Sequence, residues 1–424
     1  MSLPFGLGEF AEAHEFIERV LADQRAAHLR LAGRKVEIFR RLFTHVGANV
    51  PAYRGTRWLG SIARTLASVT PTSRAEVIST PDRFRVMASE EVIVKTSTSG
   101  STGPPMEIEY DVAAAHIVNT RLYRFVQTIM ANPSARFEPG SLFIGQVTSK
   151  PNRSFASFLI PDREPRLLRR YPIYNDTAMQ LLITDNPPVL YGKPMYLRQL
   201  VELNAGLRPM AVLVSGERLY SDDRERIRSE FCAPIINAYA TTECGVIAVT
   251  KPDRSEMIVM PGAHLEVLHD NGKISVQGDG EALVTSAFNY RQPLLRYRTG
   301  DRIDLKTLAN GRQFIYSLRR MREVQPFANP ELEASFESGL NRIGIWDFRL
   351  HLAGHFPLLE WVGKETPDAC AGYIGQLGES VGLNGLCSRR VTGLTAPGTK
   401  RLRYPNASTL RPSPSLCVPS DATG

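Results

Sequence analysis

Apolar residues recur at helical spacing near the start of the chain: Phe16, Ile17, Val20 and Leu21, then Val36, Phe39, Leu42 and Phe43. The spacing predicts helix from Phe10 to Val46, with Gly33 as a break and Pro51-Ala-Tyr53 as the stop. Farther on, short apolar runs at Ser141–Gly145, Pro188–Tyr191, Met210–Val214 and Pro234–Ala238 read as strands. Between them Tyr196–Asn204 and Ser221–Phe231 read as amphipathic helices. Strands alternating with helices predict an α/β architecture with parallel pairing. From Gly262 to Tyr316 the texture shifts to short strands and turns, as in His269-Asp-Asn-Gly272 and Gly278-Asp-Gly280, which predicts an antiparallel β subdomain. The pattern changes again after Arg320, so a boundary is placed there. It divides a large N-terminal body, 1–320, from a small C-terminal domain, 321–424, whose Ser/Pro-rich end frays from about 408. No internal repeat is visible.

Composition sharpens the class. The chain has 424 residues, 43% hydrophobic and 22% charged, as in an ordinary globular protein with room for two or three domains. No apolar run reaches the ~18–20 residues of a membrane span, and MSLPFGLGEFAEAHEF lacks a basic start and an apolar signal core. Cys232, Cys244, Cys370, Cys387 and Cys417 are few, odd in number and widely spaced, which suits free thiols in a cytoplasmic protein. The formal charge is +8, yet the arginines are interleaved with acids, as in Asp222-Asp-Arg-Glu-Arg-Ile-Arg228. That reads as a solvated surface. There is no nucleic-acid motif, and the positive potential is left to attract small anions.

Three stretches carry chemistry. Lys95-Thr-Ser-Thr-Ser-Gly-Ser-Thr-Gly-Pro-Pro105 lies between two strand-like segments, Glu91–Val94 and Met106–Tyr110. Thr98, Ser99, Gly100, Ser101, Thr102 and Gly103 offer hydroxyls and unobstructed backbone N–H groups, a cradle for polyphosphate. It is not a Walker loop, since the GK[ST] ending is absent. A hydroxyl-rich hairpin turn accounts equally well for the loop alone. Asn237-Ala-Tyr-Ala-Thr-Thr-Glu-Cys-Gly245 gathers an aromatic ring for a nucleobase (Tyr239), a hydroxyl for phosphate (Thr242) and a carboxylate for a hard cation (Glu243). A strand end with a buried tyrosine is its plain alternative. Arg296-Tyr-Arg-Thr-Gly-Asp301 sets an aspartate where it could take two ribose hydroxyls, or it is a simple Gly-Asp turn.

Together and in this order the three resemble the phosphate loop, Y-x-x-T-E and Y-R-T-G-D motifs of the adenylate-forming superfamily of acyl-CoA synthetases, adenylation domains and luciferases. Phe39–Tyr53, with its Val50-Pro-Ala-Tyr53, resembles the N-terminal helix of phenylacetate–CoA ligases and their CapK-type relatives. Gly280–Thr285 and Asn289–Tyr297 resemble the strand pair that these relatives carry before their RTGD. Val214-Ser-Gly-Glu-Arg-Leu219 sits where the family has its adenine-side segment, and Leu394–Arg403 is similar to the segment bearing the mobile catalytic lysine. The likeness covers roughly residues 10 to 405, densely as far as about 298.

What the resemblance implies is a large α/β body and a mobile α+β lid. ATP, Mg²⁺ on Glu243 and a carboxylic acid would give an acyl-adenylate and pyrophosphate. The acyl group then passes to coenzyme A, or alternatively to an amine or a carrier-protein thiol. Lys400, Glu243 and Thr242 would be catalytic. Thr98–Gly103, Ser215, Gly216, Glu217, Ala238, Tyr239, Asp301 and Arg319 would hold the nucleotide. Ala240, Thr241, Cys244 and Gly245 would wall the acid pocket, and small residues there suit an aromatic or heteroaromatic acid. A homodimer is allowed for; nucleic acid and membrane are not expected partners.

The chain also departs from the pattern. Pro104-Pro105 stands where a loop lysine is frequent, and Lys95 is the first cation to consider in its place. Ser317-Leu-Arg-Arg-Met-Arg-Glu323 keeps the arginines of the usual hinge but not its glycine and acids, and dispersed histidines such as His264 read as structural. These losses keep open a non-catalytic nucleotide-binding protein.

Overall fold

Helix α1, Lys35–Asn49, buries Ile38, Phe39, Leu42, Phe43 and Val46, so of the apolar positions predicted for this stretch Phe39, Leu42 and Phe43 face inward while Val36 is exposed. In this computed structural model the described residues are 35–87, 93–98, 105–114, 143–148, 167–321, 326–328, 330–352, 356–363, 367–391 and 403–404. The helix expected from Phe10 to Gly33, the loop residues Ser99–Gly103, Lys400 and the tail from 408 lie outside them. The chain groups into two units, one comprising residues up to Gly192 with Gly206–Gly216 and Ala233–Leu318. The other comprises Lys193–Ala205, Glu217–Cys232 and Arg319 onward.

In the first unit, Ser61 and Ser73 cap two short helices, α2 (Ile62–Leu66) and α3 (Arg74–Ser79), each hydroxyl accepting a backbone N–H. Strands β1 (Ile93–Ser97) and β2 (Glu107–Asp111) form an antiparallel hairpin around the hydroxyl-rich loop. Chain order then gives β3 (Phe143–Thr148), β4 (Leu167–Pro172), helix α4 (Asp176–Asp185), β5 (Val189–Gly192), β6 (Ala211–Ser215) and β7 (Ile235–Thr241). There follow β8 (Gly245–Thr250), β9 (Met257–Val259), β10 (Ala263–Leu268), β11 (Ile274–Ser275), β12 (Gly278–Ser286), β13 (Tyr297–Thr307) and β14 (Gln313–Arg320).

From β3 to β14 these strands make one twelve-stranded sheet in the order β11-β10-β12-β13-β14-β9-β8-β7-β6-β5-β3-β4. The β4-β3-β5-β6-β7 part is parallel, as the strand–helix alternation predicts. Beyond β7 the described pairings are antiparallel. The antiparallel strands expected as a subdomain are thus continuous with the parallel ones, because β8 and β9 carry the ladder across. The altered hinge sequence from Ser317 simply prolongs β14 to Arg320.

His264 is buried in β10 with its ring edge-on to Phe39, and burial pushes its pKa down to about 3, so it stays neutral and structural. Among the described residues no helix is long and apolar enough to cross a membrane.

The second unit contains helices α5 (Pro194–Glu202), α6 (Ser221–Phe231), α7 (Pro330–Arg342) and α8 (Pro367–Ser380). Its sheet is β15 (Ile345–His351), β16 (Leu358–Gly363) and β17 (Cys387–Arg390), antiparallel then parallel. The grouping differs from a single cut near residue 320, since α5 and α6 come from the middle of the chain. The reading of 222–228 as solvated surface also needs correction. Asp222 and Asp223 are buried, and the Arg403 guanidinium reaches Asp222 at 2.6 and 2.9 Å while Arg198 reaches Asp222 at 3.2 Å and Asp223 at 3.1 Å. Arg403 also lies over the rings of Tyr220 and Phe348, 4.3 and 4.5 Å from their centroids.

Glu337 completes this cluster. It accepts from Tyr404 Oη at 3.0 Å and Ser221 Oγ at 3.2 Å, with Arg403 Nη1 at 3.1 Å. Burial, reinforced by Asp222 and Glu333 against the pull of Arg403, pushes the Glu337 pKa up to about 7. A carboxyl that holds its proton more tightly folded than unfolded adds stability below its unfolded pKa, and that stability is lost as pH rises through the folded value. Unfolding in urea at pH 5, 6 and 8 should therefore show a fall on the order of 3 kcal/mol from this group. Glu337→Gln should flatten that fall; an unchanged pH profile in the variant would dismiss Glu337 as its source.

Candidate functional site

Apart from Glu217, Lys193 and Arg319, the residues of the geometry that follows lie within the first unit. The parallel strands end with β7, and the motif residues cluster at the carboxyl ends of β6 and β7, beside the point where pairing turns antiparallel. Open α/β sheets place ligands at such strand ends. Ser215 closes β6 in register with Ala238 of β7, and Gly216 follows at φ 91°, a left-handed turn that glycine adopts without strain.

Glu243 stands half-buried in the turn between β7 and β8. Its Oε1 accepts from Tyr297 Oη at 3.0 Å and from Arg74 Nη1 at 3.3 Å. The other arm of Arg74 donates to Thr98 Oγ1 at 2.7 Å. Thr98 also closes the neck of the hydroxyl-rich loop: its N–H donates to Met106 O at 3.0 Å, and its Oγ1 accepts from Met106 N at 2.9 Å. The neighbouring Thr242 is half-buried, its carbonyl accepting a short hydrogen bond from the Tyr110 hydroxyl. Burial, with the Glu243 charge beside them, pushes the Tyr110 and Tyr297 hydroxyls well above the ordinary tyrosine range, so both act as neutral donors.

Asp301 and Tyr239 meet directly. The Tyr239 hydroxyl donates to Asp301 Oδ2 at 2.9 Å and lies 3.1 Å from Thr299 Oγ1. The Tyr239 ring is buried in the core with Tyr110, Phe288 and Tyr297. The plain alternative for this residue, a buried tyrosine at a strand end, therefore describes its surroundings, while its hydroxyl fixes the aspartate.

Strand alternation places the remaining pocket candidates. Ala238 and Ala240 pack against Val246 and Met260 on the face of β7 opposite Tyr239. Thr241 Oγ1 accepts from Cys244 N at 3.0 Å, and the Cys244 thiol is buried, its pKa raised by burial and by Glu243. Gly245 takes φ 64°, which lets β8 start directly after the Glu243 turn.

Glu217 and Arg319 belong to the second unit, where the buried Glu217 carboxylate lies 3.2 Å from Lys193 Nζ and Arg319 sits half-buried near the end of β14. Lys95, the first substitute considered for the loop lysine, instead spans the hairpin to Glu107 at 3.0 Å and Glu109 at 3.6 Å and is 56% exposed.

Sequence reasoning missed Arg74 and Tyr110. Tyr297 was in plain view inside the YRTGD stretch. Arg74 had one signal, the Ser73-x-x-Glu76 capping box, which marks a helix start. Nothing local says what that start faces.

Among the described residues there is no group of three or more His, Cys, Asp or Glu able to hold a metal. Mg²⁺ commonly binds through one or two carboxylates plus phosphate oxygens and water. Glu243, half-buried and joined through Arg74 to Thr98, fits that donor set.

No family profile matches the sequence. The p-hydroxybenzoic acid–AMP ligase FadD22 of Mycobacterium marinum is 24% identical over 234 residues, 51% of this chain, a match spanning 32% of that protein's length. Among solved structures, 2-hydroxyisobutyryl-CoA ligase, in the postadenylation state with R3-HIB-AMP, aligns at TM-score 0.66 and 14% identity over 91% of this chain and 90% of its own. A benzoate CoA ligase from Burkholderia xenovorans aligns at TM-score 0.53 and 14% identity, covering 77% of this chain and 70% of its own. The chain therefore has the fold of the adenylate-forming ligases.

Proposed function

We propose that this protein activates a carboxylic acid with ATP and passes the acyl group to the thiol of coenzyme A. The observation that carries the reading is the joining of three separate motifs in one unit: Thr98 to Glu243 through Arg74, and Tyr239 to Asp301. A substrate carboxylate oxygen attacks the α-phosphorus of ATP, and the bond to the β-phosphate breaks, releasing pyrophosphate. Charge gathers on the phosphates in that step, so positioned donors and cations supply most of the stabilisation. Glu243 would hold Mg²⁺, which supplies neutralising charge at the phosphates. Thr98 and Thr242 offer hydroxyls, Asp301 takes the ribose hydroxyls, and Lys400 is assigned the α-phosphate. In the second step the thiol sulfur attacks the acyl carbon, its proton passes to solvent and AMP leaves with the bonding pair.

An aromatic acid is the proposed substrate class, supported by the small residues Ala238, Ala240 and Gly245 and by the acids named for FadD22 and the benzoate ligase. The Val50-Pro-Ala-Tyr53 element supports placement beside the phenylacetate–CoA ligases. ATP–pyrophosphate exchange across a panel of benzoates, arylacetates and aliphatic acids tests the reading, with coenzyme A or amines then added to the best acid. Acid-dependent exchange and thioester formation are expected. No exchange with any acid would remove the activation step, and an amide with no thioester would reassign the acceptor.

A further inference from the structure

One guanidinium links the loop neck to Glu243, and the surrounding fold is built to hold it there. Thr72 bridges to β13 on both sides of Tyr297: its N–H donates to Arg296 O at 3.0 Å, and its carbonyl accepts from Arg298 N at 2.9 Å. Its hydroxyl donates to Leu295 O at 3.1 Å and lies 3.2 Å from Tyr53 Oη, which in turn accepts from Leu295 N at 3.0 Å. Ser73 then opens α3 with a capping box, its hydroxyl accepting from Glu76 N while its own N–H donates to Glu76 Oε2 at 2.7 Å. Arg74 follows at once, so its backbone is pinned beside Tyr297, with which it shares Glu243 Oε1. Its side chain is 21% exposed and that of Glu243 is 10%, which leaves the pair within reach of solvent.

A polyphosphate brings several negative charges into this space. Lys95 does not answer them, since it is engaged with Glu107 and Glu109 on the hairpin. A planar guanidinium is well matched to phosphate oxygens, which it can take two at a time. Tyr297 keeps its own hydrogen bond to Glu243 Oε1, so the carboxylate stays oriented if Arg74 moves to another anion. We propose that Arg74 is a phosphate-binding residue of the nucleotide site, gripping the β- and γ-phosphates in place of a loop lysine and exchanging its Glu243 partner for them. The inference rests on the ATP-dependent activation proposed above.

Equilibrium binding of ATP, pyrophosphate and AMP to the full chain, by calorimetry in EDTA, tests it without any turnover. Arg74→Ala should weaken ATP and pyrophosphate tenfold or more and leave AMP within about twofold, since AMP lacks the phosphates that Arg74 meets. Arg74→Lys should recover part of the loss. Equal weakening of ATP and AMP would overturn the assignment in favour of a structural role for Arg74, and unchanged affinity for all three would overturn it outright. If the unaltered protein bound neither ATP nor AMP, the functional reading would fail and take this inference with it.

Discussion

Glu243→Gln should lower acid-dependent ATP–pyrophosphate exchange about a hundredfold or more, the scale of losing one electrostatic contact in such a transition state. Glutamine keeps the length and shape of the side chain, and its carbonyl can still accept from Tyr297 and Arg74. The fold should be spared, so the loss reads the missing charge. Raising Mg²⁺ should restore part of the rate, because the remaining phosphate oxygens still bind the ion, only more weakly. An unchanged rate at low Mg²⁺ would take Glu243 out of the chemistry and leave it as the partner that positions Arg74.

The second large effect is on stability. Arg403→Met should destabilise the second unit by about 3–5 kcal/mol, the usual cost of removing one partner from a buried ionic cluster. The substitution takes one arginine from buried Asp222, Asp223 and Glu337 while Arg198 stays with the two aspartates, and it also removes a cation from over the rings of Tyr220 and Phe348. Combining it with Asp222→Asn should cost less than the two changes summed, because the second relieves the charge that the first strands. Urea unfolding of the two single variants and the double variant gives the comparison. A loss below about 1 kcal/mol, the range of exposed pairs, would mean that water reaches the cluster.

Elements whose stabilising contacts are local were legible in the sequence. The amphipathic stretch Ser221–Phe231 is a helix over the residues read for it, and the apolar runs before Val214 and Ala238 are neighbouring parallel strands. Periodicity reports that a face is buried without naming what buries it. Alternating acids and arginines at 222–228 looked like a solvated face, because the arginines that neutralise Asp222 lie 24 and 181 positions away. The same limit hid Arg74, whose meeting with Glu243 spans 169 positions and depends on how Thr72 joins β13. It also hid the continuity of the sheet, since turn-rich strands look alike whether they form a separate subdomain or extend an existing ladder. Tyr239 and Asp301 could each be named from a motif. That one would hold the other by a hydrogen bond follows only from the pairing of distant strands.

The distance between Asp222 and Arg403 also sets a timetable for synthesis. Chains grow from the N-terminus at about 5–20 residues per second, and domains ordinarily begin to fold as they emerge. The interval of 181 residues corresponds to roughly 9–36 s during which both aspartates exist without Arg403. Until then the two aspartates of helix α6 have Arg198, made before them, but not Arg403. The second unit can therefore finish folding only after Arg403 has been made, and a chain cut short before it would lack one of the arginines that pair with buried Asp222.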